Sequence, residues 1–404
     1  MRLKRTSQWL SSLLAVSVGA SLLIPTVNAA GVGRRTIKIG IHTPLTGAAP
    51  VPSDTAQQGA DIYWRWRRSK EKPINGRHVD VVLNNDNSNP SQAVAVCKEM
   101  VEKDEVFLLS GLMNPDGKDQ TQACARYAAS VDVPYVALGQ MQRGVKRLPN
   151  YFAFSMTWPA QSRLLAEFLV ERLAAKRRSN GMVRHDSPNY QDSHAAFVDA
   201  MDGKRATVDY DRAVNKNASS SEAQAIIQEL KLAGVENVFV LVRSTFFLQL
   251  LKAADSQDYH PRWTGIGITA TASDEIAKIG CEGNQAISGA RFFSPLPAFV
   301  NRDRFDPNYS RAMREIYESQ GDNISWLGWA TSRHLAKLLE RAGRKLTRGR
   351  FANRTERARR VKTGIMPPLR FSPRDHFGGR AIYVLKPDCS AQRWVTAGKA
   401  KSRF

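Results

Sequence analysis

The groups in this 404-residue chain that could do chemistry are seven histidines, four cysteines and a run of three, His185-Asp186-Ser187. That run has the residue types of a nucleophilic relay. Consecutive residues point apart, however, and a relay needs its members to converge from separate elements. His185 and His194 lack the spacing of a metal-binding helix face, and no Cys-x-x-Cys occurs, which argues against zinc. Gly265-x-Gly267 lacks the other glycines of a dinucleotide fingerprint. His42 is a lone histidine at the end of a strand pattern and reads as structural. No acid–base pair or nucleophile stands out, so the chain does not read as an enzyme, and no cofactor is implied.

What remains is recognition. Arg243 follows the apolar run Asn237–Val242. Turned into a cleft, it would grip a carboxylate through paired hydrogen bonds; turned outward, it is one more surface charge. Asn114, Asp116, Gln140 and Asn189 fit either plain turns or contacts to a bound solute. Pro52 lies in the loop after the first strand pattern, Ala137 and Gly139 close another, and Ser244 follows Arg243.

The elements that would position these residues follow from periodicity. Ile37, Ile39 and Ile41 alternate as in a strand, and Val79, Val81 and Leu83 do so again. Between them, Thr55–Ser69 reads as a helix, bounded by Pro52 and by Pro73 with the turn pair Asn75-Gly76. Strand, helix, strand makes a parallel unit with a right-handed crossover. The Thr46–Asp54 loop then lies at the carboxyl end of the first strand, where open α/β sheets hold ligands. Pro90–Lys103 reads as a helix, with Ala93, Val96, Met100 and Val101 on one face, and Gln120–Val131 as another; between them Val106–Ser110 reads as a short buried strand, and Gly181–His185 and Trp263–Gly267 as further strands.

Three motifs carry a resemblance: Pro44-Leu45-Thr46-Gly47, Ile74-Asn75-Gly76-Arg77 and Asp86-x-Ser88-x-Pro90. In type, order and spacing they resemble the opening of the periplasmic solute-binding proteins of ABC importers, in the branched-chain amino acid and amide family. The resemblance spans about residues 36 to 395. It implies an α/β fold of two Rossmann-like lobes with parallel sheets, joined by three hinge crossings. Those crossings match Tyr151–Phe154, Gly289–Pro297 and Pro367–Pro373. The first lobe would take residues 36–155 and 293–364, the second 156–292 and 365–398. It also implies a small polar solute, an amino acid, amide or small carboxylate, delivered to ABC permease transmembrane subunits. A monomer with no nucleic acid partner is expected. Tyr190 matches a loop tyrosine of the family, with Gln191 replacing its glycine. Asn114 and Asp116 stand where the family carries a serine or threonine for the solute carboxylate. Near Thr269 the family often has an acid for an ammonium group, and this chain has none. The same fold could serve a membrane sensor.

Arg2, Lys4 and Arg5, the apolar run Leu10–Ile24 and Val27-Asn28-Ala29 form the three parts of a signal peptide over residues 1–29. No cysteine precedes Cys97, so there is no lipobox, and a periplasmic or secreted protein is expected. In that oxidising setting Cys97, Cys124, Cys281 and Cys389 suggest disulfides, with three possible pairings. Cys97–Cys124 and Cys281–Cys389 are favoured, because the first two lie on helices flanking one strand; four buried thiols are the alternative. Net charge is +22, with 18 Lys and Arg from Arg341 onward against Glu356, Asp375 and Asp388. That balance fits a solvated face or an anionic polymer partner. Few aromatics interleave with Arg341–Lys362, so a platform for single-stranded nucleic acid is poorly supported.

Overall fold

A computed structural model describes residues 30–47, 50–114, 118–215, 217–267, 271 and 273–404, without the side chains of residues 188 and 189. The expected leader, residues 1–29, lies outside them. Among the described residues no helix is long and apolar enough to cross a membrane.

The chain opens with β1 (Thr36–Thr43), α1 (Ser53–Lys70), β2 (His78–Asn85), α2 (Pro90–Glu102), β3 (Leu108–Gly111), α3 (Lys118–Ser130), β4 (Tyr135–Ala137) and β5 (Tyr151–Ala153). These strands form one parallel sheet in the order β2-β1-β3-β4-β5. The alternating isoleucines set the register, with Ile37, Ile39 and Ile41 opposite Val79, Val81 and Leu83. Strand order reverses between β1 and β3, which opens a crevice at their carboxyl ends.

The second lobe holds α4 (Trp158–Arg172), β6 (Asn180–His185), α5 (Pro188–Gly203), β7 (Tyr210–Val214), α6 (Ser220–Leu232), β8 (Asn237–Leu241), α7 (Ser244–Ser256), β9 (Arg262–Gly265), α8 (Asp274–Cys281) and β10 (Arg291–Ser294). The chain then returns through α9 (Arg302–Phe305), α10 (Pro307–Tyr317), α11 (Asn323–Ala342) and α12 (Arg348–Glu356) to cover the first sheet. It ends in β11 (Tyr383–Asp388) and β12 (Arg393–Thr396). The second sheet runs β12-β11-β10-β9-β8-β6-β7. It departs from a purely parallel sheet at one edge, where β11 and β12 are antiparallel.

The three motifs are structural frame. Asn75 and Gly76, both with positive φ, make the two-residue turn that closes the Ile74–Arg77 pair. The Asn75 amide donates to the carbonyls of Leu339 and Glu340 at the end of α11. Asn85 accepts from the backbone of Leu45 and Thr46, which clasps the first loop to the second. Asp86 accepts from Ser88 N–H, Asn89 caps α2, and Pro90 occupies its first turn, where a missing N–H costs nothing.

The crossings are packed side by side. Ala153 exchanges backbone hydrogen bonds with His376 and Gly378. A Cβ on Gly379 would lie 2.0 Å from Ser155 C and Met156 N, so the first and third crossings touch through bare backbone. The third crossing therefore falls at Gly378–Gly379 and not at the expected Pro367–Pro373. Ile365, Leu369 and Phe371 are buried in the first lobe's core, and Val361 pairs with Leu369. The first lobe accordingly keeps the chain to about Gly378, beyond the expected boundary at residue 364. Cys97–Cys124 joins α2 to α3, and Cys281–Cys389 joins α8 to the end of β11.

Candidate functional site

The segments that follow β3 and β4 in the first sheet touch Trp158 at the start of α4 and the first turns of α5, after β6, in the second lobe. The lobes meet there. Lys118, the first residue of α3, is 3% exposed. Its ammonium lies 3.8 Å from the ring centroid of Trp158 and 3.5 Å from that of Tyr190, both in the second lobe. Arg143 N–H also donates across the gap to Asp192, at 3.2 Å.

The second-lobe wall is aromatic and basic. Trp158 starts α4 behind the cap supplied by Thr157. Tyr190 packs edge-on to Trp158, with centroids 6.0 Å apart, and against His185. Gly267, at positive φ, lies against the Trp158 ring, and its N–H donates to Gln161. Arg243 caps α7 and donates its backbone N–H to His185 Nε2 at 3.0 Å. Burial, with the nearby charges of Arg243 and Lys118, pushes the His185 pKa down to about 4, so this imidazole stays neutral at pH 7.

A buried polar chain backs the first-lobe wall. His42 is fully buried, with Nδ1 2.8 Å from Asp86 and Nε2 2.5 Å from the Tyr135 hydroxyl. The same Asp86 oxygen accepts from the Asn114 amide at 2.7 Å. Gln140 donates to the Asn114 carbonyl at 2.7 Å. His42 is thus a structural link, as its isolation in the sequence suggested. Its ring nitrogens and the Cys97 and Cys124 sulfurs gather within 4.8 Å. The sulfurs are bonded to each other and the ring nitrogens are engaged, so the group has no free donor for a metal.

The candidates read from the sequence divide accordingly. Asn114 follows β3, and Gly139 and Gln140 follow β4, in the first lobe; Tyr190 and Ser244 stand in the first turns of α5 and α7 in the second, with Arg243 just before α7. The Asn114 amide nitrogen is turned to Asp86 and away from a solute, while its Oδ1 is buried without a partner. Ala137 is withdrawn: its side chain is in the core and its carbonyl accepts from Phe154 N–H. Pro52 is exposed and stands at the N-cap position, just before the first residue of α1. Asp116, Thr269 and the Asn189 side chain lie outside the described residues. Lys118, Trp158 and Gly267 are additions. A Trp-Pro pair just after the first crossing was a usable signal for one of them.

The basic run Arg341–Lys362 is remote from this wall and partly internal. Arg348 holds the carbonyls of Val106 and Phe107, Arg350 that of Ala342, and Arg341 that of Arg360.

Residues 36–393 match the sequence profile described as "Periplasmic binding protein". The chain belongs to this family. Among curated relatives of this binding protein, the leucine-, isoleucine-, valine-, threonine- and alanine-binding protein of Pseudomonas aeruginosa is 24% identical over 318 residues. That alignment takes 76% of this chain and 79% of the relative. Among solved structures, a branched-chain amino acid ABC transporter protein from Thermus thermophilus with bound valine matches with TM-score 0.75 and 14% identity. It covers 92% of this chain and 97% of its own. A solute-binding protein of an ABC transporter from Rhodopseudomonas palustris, in complex with 3,4-dihydroxybenzoic acid, matches with TM-score 0.72 and 15% identity, over 91% and 98%.

Proposed function

We propose that this binding protein captures one small polar solute between its lobes and hands it to an ABC permease from the periplasmic side. The observation that carries the reading is the crevice itself. The segments after β3 and β4 meet the starts of α4 and α5, and Lys118 of one lobe reaches between two rings of the other. Two α/β lobes on a hinge trap a solute by closing over it. Helix starts, Gly139, Gln140 and Arg243 supply donors, and Trp158 and Tyr190 supply apolar cover. Nothing in this arrangement needs a nucleophile. The relatives' ligands, from valine to dihydroxybenzoate, support a small carboxylate-bearing solute without selecting one. The protein acts as a monomer, exported by its N-terminal leader.

A thermal-shift screen over amino acids, amides and small carboxylates tests the reading. A solute at 100 times its dissociation constant stabilises by about 2.7 kcal/mol. Small-angle scattering on the hit should show compaction. A hit that leaves the scattering radius unchanged would argue against capture by closure.

A further inference from the structure

An unbalanced charge gathers at the edge of the first lobe that lies away from the cleft. β1, β2 and β3 begin at Thr36, His78 and Leu108, so the segments before them share the amino edge of one parallel sheet. β1 is 8 residues long, which sets this edge roughly 25 Å from the carboxyl ends. Hydrogen bonds tie three basic segments together here. His78 N–H donates to the carbonyl of Arg35, and Arg77 donates to those of Gly33 and Arg344. Arg341 donates to the carbonyl of Arg360, and Arg348 to those of Val106 and Phe107, just before β3. The resulting face carries Arg34, Arg35, Arg344, Lys345, Arg359 and Arg360, all exposed.

Acids do not balance these six. Among the described residues none of the six is ion-paired, whereas Arg68, Lys70 and Arg178 elsewhere meet Asp80, Glu315 and Glu236. The single acid between Arg341 and Lys362 is Glu356, which faces His376. Glu340 is held by Arg67 and Lys337. Outside the described residues the only acid is Asp116, which follows the carboxyl end of β3 in the chain.

The shape of the patch favours a broad anionic surface over a threaded strand. A cavity at this edge is lined by none of the six, so they stand on a face and not in a groove. Exposed large apolar side chains among the described residues are Val131 and Leu232, too few and too scattered for a wedge or a stacking platform. The start of the folded chain points to which surface. Ala30, the first residue after the expected leader, lies at this same edge, where Lys38 N–H donates to the carbonyl of Gly31. A Cβ on Gly31 would lie 2.1 Å from Phe107 N, so the chain is pinned there. Until the leader is cut, this is the face tethered nearest the bilayer.

We propose that this face docks electrostatically on an anionic phospholipid surface and keeps the mature protein beside the membrane after the leader is removed. The inference rests on the reading of an exported protein and is independent of solute capture. Guanidinium groups pair bidentately with headgroup phosphates. Each cation near such a surface strengthens binding about fivefold, and salt screens the attraction.

The test is flotation of the mature protein, from Ala30 onward, with vesicles of phosphatidylcholine alone or with about one third phosphatidylglycerol. The expected result is binding to the anionic vesicles only, weakened at least tenfold between about 0.05 and about 0.5 M salt. Arg344→Gln, Lys345→Gln, Arg359→Gln and Arg360→Gln together should weaken it at least fiftyfold. Arg172→Gln, Lys176→Gln, Arg177→Gln and Lys252→Gln together remove the same charge from exposed positions of the second lobe and should cost less than threefold. Circular dichroism checks the folding of both. If the first variant misfolds, Arg34→Gln with Arg35→Gln, from a separate segment, should still weaken binding at least tenfold. Indifference to lipid charge, no binding at low salt, or an equal loss in the two fourfold variants overturns the inference. Binding to inorganic polyphosphate with none to vesicles overturns it in favour of a soluble polyanion. Each of these results leaves solute capture standing, because the thermal-shift screen reads that separately.

Discussion

The Tyr383 hydroxyl donates to the carbonyl of Ile365 at 2.7 Å, a buried bond from the second lobe's sheet to the first lobe's core. It lies on the hinge side, where Phe305 packs on both cores and 5.7 Å from the Tyr383 ring. The hinge is therefore a packed seam and not three loose strings. Tyr383→Phe removes that bond and leaves a buried carbonyl unpaired, a loss of about 1–3 kcal/mol. Urea titration should show it as a lower midpoint with an unchanged slope.

Gly379 tests the same seam by steric means. Both atoms that a Cβ would meet belong to the Ser155–Met156 backbone, which cannot rotate aside. Gly379→Ala should force the crossings apart. The expected outcome is a destabilisation of about 1–3 kcal/mol, together with a larger unliganded scattering radius. An alanine variant with wild-type melting and wild-type radius would show that the crossings do not bear on each other.

Much of the first lobe was legible because its signals are local. Alternating isoleucines, an Asn-Gly turn and a capped Asn-Pro helix start each declare their backbone over a few residues. The third crossing was not. Pro367-Pro368 and Pro373 look like linker punctuation, yet Leu369 and Phe371 between them are core. Lys118 was hidden for a different reason. A lysine at a helix start reads as solvated, and its aromatic partners come from elements far along the chain, so only the folded cleft reveals the contact.

Asn75 separates frame from site. It joins the turn before β2 to the end of α11 and touches no part of the cleft wall. Asn75→Ala loses two side-chain hydrogen bonds and places a less suited residue at positive φ. Stability should fall by about 1–2 kcal/mol, while the dissociation constant for the solute stays within twofold. A large loss of affinity would tie this family motif to recognition directly.

The disulfides should contribute unequally. Cys97–Cys124 closes 27 residues and Cys281–Cys389 closes 108. Loop-closure entropy favours the longer crosslink, roughly 5 against roughly 3–4 kcal/mol. The paired serine variants, compared by denaturant midpoint, should rank in that order. The reverse ranking would show that packing around the fully buried Cys97 and Cys124 outweighs chain entropy.

Acid sensitivity follows from two buried histidines in different lobes. His185 and His334 both have pKa values pushed down to about 4, chiefly by burial. Arg243 and Lys118 add to the effect at His185, and Arg333 at His334. Unfolded, each returns to its ordinary 6.5. Below that pH the unfolded chain binds protons that the native protein refuses. Stability is fully present above about pH 6.5 and is lost as pH falls toward 4. The loss reaches at most on the order of 3 kcal/mol per histidine. Asp211 acts in a separate, lower window. Burial works against its charge but is outweighed by His194 and Arg184, so its contribution is lost only as pH falls below 3.8. Urea midpoints measured between pH 7.5 and 4.5 should therefore drop steadily, and His334→Gln should flatten part of the slope. A midpoint that stays level over this range would mean that both imidazoles take up protons in the folded protein as readily as in the unfolded chain.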